Sequence, residues 1–296
     1  MHQVAQWPIF IALVLYVITF LSRNIKNIEF KNTAVSVWWL TLSVLLIWLI
    51  LFGFISAVAV NIILLLTISL VILESKHSNY FRVSVGIFSF LLFLVLGFHL
   101  VPGFENILVI EDQALKGYSA KFSSYLNFDK ALAGLVFYLV TVPRSYQVKF
   151  THIICAFVIT LITASIVLFT GIKLGLIDFN TDYAFGAEFF CFFILNQILV
   201  VAMAEEVFFR GFIQGKLYLL FTSNKLLLKT IPLSITSILF GLVHFGGGVE
   251  YVALATLAGF GYGLVYQLTR NIQLTIISHA LFNMIHLLFF TYPLSI

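Results

Sequence analysis

Charged side chains are scarce in this chain: Asp, Glu, Lys and Arg make up 9% of 296 residues, against 61% apolar. So little charge cannot clothe a sizeable soluble domain, and the stretch from Asn32 to Leu73 carries none at all. Cysteine is rarer still. Cys155 and Cys191 both fall inside apolar segments, where lone thiols act as small apolar residues and not as a disulfide framework. A net charge of +4 is too modest to suggest a nucleic-acid partner. The ~10-residue alternation of an outer-membrane barrel is also missing. The first apolar run, from about Val4, has no basic lead-in and no small-x-small cleavage site, so it reads as a retained first helix and not a signal peptide.

What remains is hydrophobic length. A mean hydropathy of +1.09 and repeated uncharged runs of about 20 residues predict an all-α, polytopic transmembrane bundle of about 8–10 spans. The predicted spans are roughly 5–22, 35–52, 55–73, 83–101, 131–142, 150–172, 186–210, 230–245, 249–268 and 272–291. The span at 131–142 is too short to cross alone unless it tilts or starts before Asp129. Residues 1–130 read as N-terminal helices with one polar connection at 102–130, and 131–296 as C-terminal helices. That connection reads as a loop without secondary structure, either a lid or a surface piece, with Asn127, Asp129 and Lys130 clustered at its end.

Basic residues set the orientation. Taken alternately, one set of connections holds Arg23, Lys26, Lys31, Lys76, Arg82, Arg144, Lys149, Arg210, Lys216, Lys225, Lys229 and Arg270. The other set holds Lys116, Lys121, Lys130 and Lys173. The positive-inside rule then places the loop after the seventh span in the cytoplasm and both termini outside in a multi-pass membrane protein.

Against that apolar background, three polar constellations stand out: Glu205-Glu206-x-x-x-Arg210, Phe240-x-x-x-His244 and His279-x-x-x-Asn283. Ionisable groups in a bilayer persist mostly where they face protein or water. Adjacent Glu205 and Glu206 diverge by about 100° on a helix. Glu206 and Arg210, four apart, share a face and suit an ion pair, which leaves Glu205 to act as a base on water. The bland reading is that all three end a helix at the interface. His244 and Phe240 are individually better explained as an interfacial histidine and a packing ring. His279 and Asn283 stack on one face, fit to hold a water or an oxyanion or to make a polar interhelical contact. His286 continues that face and reads as structural. Simple rise puts Glu205 about 10 Å into the membrane and His244 about 21 Å, a mismatch that requires the His244 helix to tilt or begin later.

Together, in this order on successive hydrophobic helices, the three motifs resemble the CPBP family of intramembrane proteases, which includes type II CAAX prenyl endopeptidases and proteins linked to bacteriocin self-immunity. The resemblance covers about residues 186–291. It implies that Glu205 activates water with help from His244, that His279 and Asn283 position the water or stabilise the oxyanion, and that Glu206 and Arg210 are structural partners. Zinc is possible, with Glu205, His244 and His279 as its ligands, although the same residues can work without metal and no cofactor is certain. The implied partners are a peptide or membrane-protein substrate and the lipid bilayer, with no preference for a prenyl group readable and the oligomeric state unknown. Two other classes stay open: a non-enzymatic binder or immunity protein on the same fold, and a proton-coupled transporter, disfavoured by the absence of repeat symmetry.

Overall fold

The structure, a computed structural model, describes residues 6–30, 33–75, 78–143, 147–183, 185–220 and 226–296. Lys31, Lys76, Arg144 and Lys225, four of the residues that argue the orientation, lie outside the described residues, as do the first residues of the first apolar run. The chain forms two compact units, Met1–Asn106 with Asn127–Tyr146, and Ile107–Leu126 with Gln147–Ile296.

The first unit holds α1 (Gln6–Ser22), a short hairpin of β1 (Ile28–Phe30) and β2 (Thr33–Val35), then α2 (Val37–Leu51), α3 (Ala57–Glu74), α4 (Asn79–Gly97) and α5 (Phe128–Thr141). Helix α5 is the short span of the sequence, and it starts just before Asp129. It contacts α1, α3 and α4, and Leu135, Val136, Phe137 and Leu139 are wholly buried. A helix apolar on every side can sit in lipid or in a protein core, but at 14 residues α5 is too short to cross a bilayer alone, and here protein covers it. Within the cluster at its entrance Asp129 caps the helix together with Asn106, while the N-cap residue Asn127 makes no side-chain cap bond. Asn106 Oδ1 accepts the Phe128 N–H, and buried Asp129 accepts from Asn106 Nδ2, from the Lys130 N–H and from His99 Nδ1 at 2.7 Å. These side chains satisfy first-turn groups that a helix leaves unpaired.

The second unit begins with the polar connection, which is not irregular. Residues Ile107–Gln113 (β3) and Phe122–Leu126 (β4) pair antiparallel, with register shifts between Leu108 and Gln113. The run Ile107-Leu-Val-Ile110, β-branched except at Leu108, favours a strand. Without a two-residue Asn-Gly or Asp-Gly turn between the strands, the hairpin escapes a sequence reading. The unit continues with α6 (Phe150–Lys173), a composite helix over 187–220, α10 (Leu226–Leu242), α11 (Val249–Thr269) and α12 (Ile272–Phe289). Helix α11 packs on α10 and α6, and it does so through small residues: a Cβ on Gly261 would lie 2.1 Å from Thr163 Oγ1. Close backbone approach through glycine is a common way for helices to associate in lipid.

Six helices are long and apolar enough to cross a membrane, and Trp7–Ser22, Val37–Leu51 and Thr230–Leu242 are shorter apolar helices, among the described residues. The all-α bundle stands, with two small hairpins added.

Lys116, in the turn of the β3–β4 hairpin, is buried and donates from Nζ to the carbonyls of Asn180 and Leu288. Leu288 lies in the last turn of α12, so the ammonium caps that helix end. Burial lowers its pKa to about 8, with Asp182 opposing the shift. Between that value and the unfolded 10.5, the unfolded chain holds a proton the folded one has lost, so stability from this group rises with pH. The melting temperature of wild type minus that of Lys116→Met is therefore expected to grow from about pH 8 to 10.5. A flat difference across that range would contradict the burial of the amine.

Candidate active site

The composite helix consists of α7 (Ala187–Asn196), a π segment Gln197–Val201, α8 (Ala202–Glu206), a second π segment Val207–Gln214 and α9 (Gly215–Leu220). The helix does not end at Arg210, as an interfacial reading would require, but runs on to Leu220. Glu206 and Arg210 are both wholly buried. π segments inside α-helices commonly sit at functional sites, because the extra residue re-aims the side chains on either side of it. The adjacent carboxylates separate as their spacing demands: Glu205 is half-buried on a cavity, while Glu206 points into the protein.

Glu206 Oε1 is the hub of the buried cluster. It accepts from Arg210 Nη1 at 3.1 Å and from His279 Nδ1 at 2.8 Å. Oε2 and Arg210 Nε have no hydrogen-bond partner among the described residues, so the pair is joined end-on and not as a two-pronged fork. Arg210 Nη2 donates to the Gly259 carbonyl at 2.9 Å, and the guanidinium carbon lies 4.5 Å from the Phe240 ring centre. One turn on, Gln214 Nε2 donates to the Gly263 carbonyl; one turn further, Tyr218 OH donates to Gln267 Oε1. This ladder advances four residues at a time on both helices, and it fixes the composite helix against the glycine face of α11.

His279 is thereby held from behind. Its Nδ1 faces Glu206, the Tyr262 ring stacks on it at 4.4 Å and 13°, and Nε2 is the nitrogen left for the cavity. His244 is oriented in a parallel way. Its Nδ1 lies 2.7 Å from the Phe240 carbonyl, and since a carbonyl only accepts, Nδ1 carries the proton and Nε2 is the lone-pair nitrogen in the neutral ring. Phe240 thus contributes both its carbonyl and its ring, which stands 4.8 Å from His244 and 5.8 Å from His279. Asn283 Nδ2 donates to Gln197 Oε1 at 2.8 Å. His286 binds the Thr291 carbonyl through Nε2, holding the C-terminal tail.

A cavity of about 210 Å³ is lined by Glu205, His244, His279 and Asn283 together, with Gln197 and Tyr262 beside them. The depth mismatch expected for His244 does not keep it out, even though α10 begins earlier than expected, at Leu226. Uniform rise is a poor ruler here: the composite helix contains two π segments, and His244 lies past the end of α10 in a 3₁₀ turn entry. Gln197, Tyr262 and the His279–Glu206 contact are absent from the motif reading. Gln197 precedes Glu205 by eight residues, outside any motif, and only its polarity within an apolar run could have drawn attention to it.

The set Glu205, His244 and His279 does not fit a zinc ion as placed. Among the described residues no three His, Cys, Asp or Glu side chains come together to share a metal, whereas catalytic zinc needs three convergent ligands and an open position.

Neither a curated protein nor a solved structure matches the chain. Residues 187–285, about a third of the chain, match the family model described as "Type II CAAX prenyl endopeptidase Rce1-like", and over this segment the chain is CAAX-protease-like, as its three motifs in order anticipate.

Proposed function

We propose that the protein is an intramembrane peptide hydrolase whose base is Glu205. The observation that carries this reading is the cavity itself: residues from all three motifs line it, and of the two adjacent carboxylates it is Glu205 that faces it. A water between Glu205 and His244 attacks the carbonyl carbon of a peptide bond and gives one proton to the Glu205 carboxylate. His244 Nε2 accepts the water's other hydrogen and so holds its lone pair toward the carbonyl, while His279, on the same cavity wall as Asn283, borders the site of attack. The carbonyl oxygen takes the negative charge, and the Asn283 amide donates to it. Glu205 then returns its proton to the amide nitrogen, the C–N bond breaks, and acid and amine products leave. Glu206 and Arg210 act behind this step by fixing the His279 ring.

The substrate is a peptide or a segment of a membrane protein, with entry from the cytoplasmic side given by the bias of lysine and arginine toward one set of loops. The test compares purified wild type with Glu205→Gln in detergent, on a mixed peptide library, with and without a chelator. Glu205→Gln is expected to lower turnover by about 10²–10⁴-fold at an unchanged melting temperature. Turnover that survives the chelator is expected from the donor geometry. A wild type that cleaves nothing, with a cellular effect retained by Glu205→Gln, would instead mark a binder.

A further inference from the structure

We propose that Gln197 belongs to the reacting site, as a second amide donor beside Asn283 and the residue that orients it. This rests on the hydrolase reading above. Gln197 opens the first π segment, lines the cavity, and is 6% exposed. In an unbroken α-helix, residues eight apart point about 80° away from each other. The π segment intervenes, and Gln197, Val201 and Glu205 all line the same cavity. A polar side chain is thus turned inward from an otherwise apolar stretch, Ile194 to Val201 apart from Asn196.

Its chemistry is complementary to that of Asn283. Gln197 Oε1 receives one Nδ2 hydrogen of Asn283 at 2.8 Å. This contact prevents the Asn283 amide from turning its own oxygen toward an incoming carbonyl, which would repel a developing oxyanion. The Nε2 group of Gln197 has no hydrogen-bond partner among the described residues. An amide NH₂ that has no protein partner, on a side chain lining a cavity, is a donor left available to a ligand or water there. Two neighbouring amide donors, one on the composite helix and one on α12, form the kind of preorganised pair that an oxyanion requires.

Two substitutions separate this role from packing. Gln197→Glu keeps the size and the oxygen that accepts from Asn283, but removes the donor and adds negative charge. Gln197→Met keeps the volume and removes both polar functions. Each is assayed for kcat and KM on the internally quenched peptide that wild type turns over fastest, with Glu205→Gln as the blank and melting temperature as the fold control. Both are expected to lower kcat by about 10²-fold or more, with KM changed less than about threefold. Wild-type turnover that does not depend on Glu205 overturns the hydrolase reading and this inference with it. Glu205-dependent turnover retained within about twofold by Gln197→Met overturns the inference alone. So does a folded-protein loss in both variants, which would make Gln197 structural.

Discussion

Glu206→Ala is expected to leave little folded protein, whereas its neighbour Glu205→Gln is expected to give a folded and inert one. The asymmetry follows from surroundings and not from chemistry. Removing the Glu206 carboxylate strands a guanidinium that is fully buried among Phe209, Phe240 and Tyr262. Its other bond, to the Gly259 carbonyl, supplies no counter-charge. Breaking one side of a buried ion pair costs about 3–5 kcal/mol, a large share of a total stability of about 5–15 kcal/mol. His279 loses its Nδ1 partner in the same step. Glu205 lies on a cavity that water can enter, and glutamine keeps its shape while losing the proton affinity. The measurement is monodisperse yield and melting temperature in detergent for both variants. The double substitution Glu206→Leu with Arg210→Met serves as the decisive partner: it removes both charges and is expected to recover most of the stability, while the unsupported His279 keeps turnover low. Wild-type melting in Glu206→Ala would refute the buried hub.

These relations divide by their distance along the chain. The divergence of Glu205 from Glu206, and the Glu206–Arg210 pair, follow from helical periodicity over one turn, so they are legible in the sequence. The Glu206–His279 contact joins residues 73 apart and the Gln197–Asn283 bond residues 86 apart. Nothing local specifies them; they exist because α12 contacts the composite helix. The order of the motifs made a shared site expected, but not which carboxylate would hold which histidine. The fold divides in the same way. Long apolar runs announce α3, α4, α6 and α11, because a bilayer imposes length and hydrophobicity directly. Helix α5 is short because protein covers it on every side, and the β3–β4 hairpin depends on pairing across an eight-residue turn, 114–121.

Gly241→Val is expected to damage the site by moving a helix without touching any of the polar residues that line the cavity. A Cβ at Gly241 would stand 1.9 Å from Thr256 Oγ1 and 2.7 Å from the Val252 carbonyl oxygen. The threonine can rotate, but the carbonyl is backbone, so α10 must part from α11. The segment that moves carries Phe240 and His244: the His244 N–H donates to the Gly241 carbonyl, and His244 Nδ1 to that of Phe240. Overpacking of this kind costs about 1–3 kcal/mol, which the bundle can survive. A displacement of about 1 Å in a catalytic group can cost about 10²-fold in rate, which the activity cannot hide. Gly241→Val is therefore expected to lose proportionately more turnover than stability. Two glycines calibrate the result. Gly261→Ala meets the Thr163 side chain first, on the α6 side, and is expected to show the reverse balance. Gly246→Ala, in the turn after His244, meets nothing within 4 Å and is expected to be silent in both assays. Equal losses of rate for Gly241→Val and Gly261→Ala at equal melting temperature would show that His244 is not held through α10, and would remove the link between helix packing and the site.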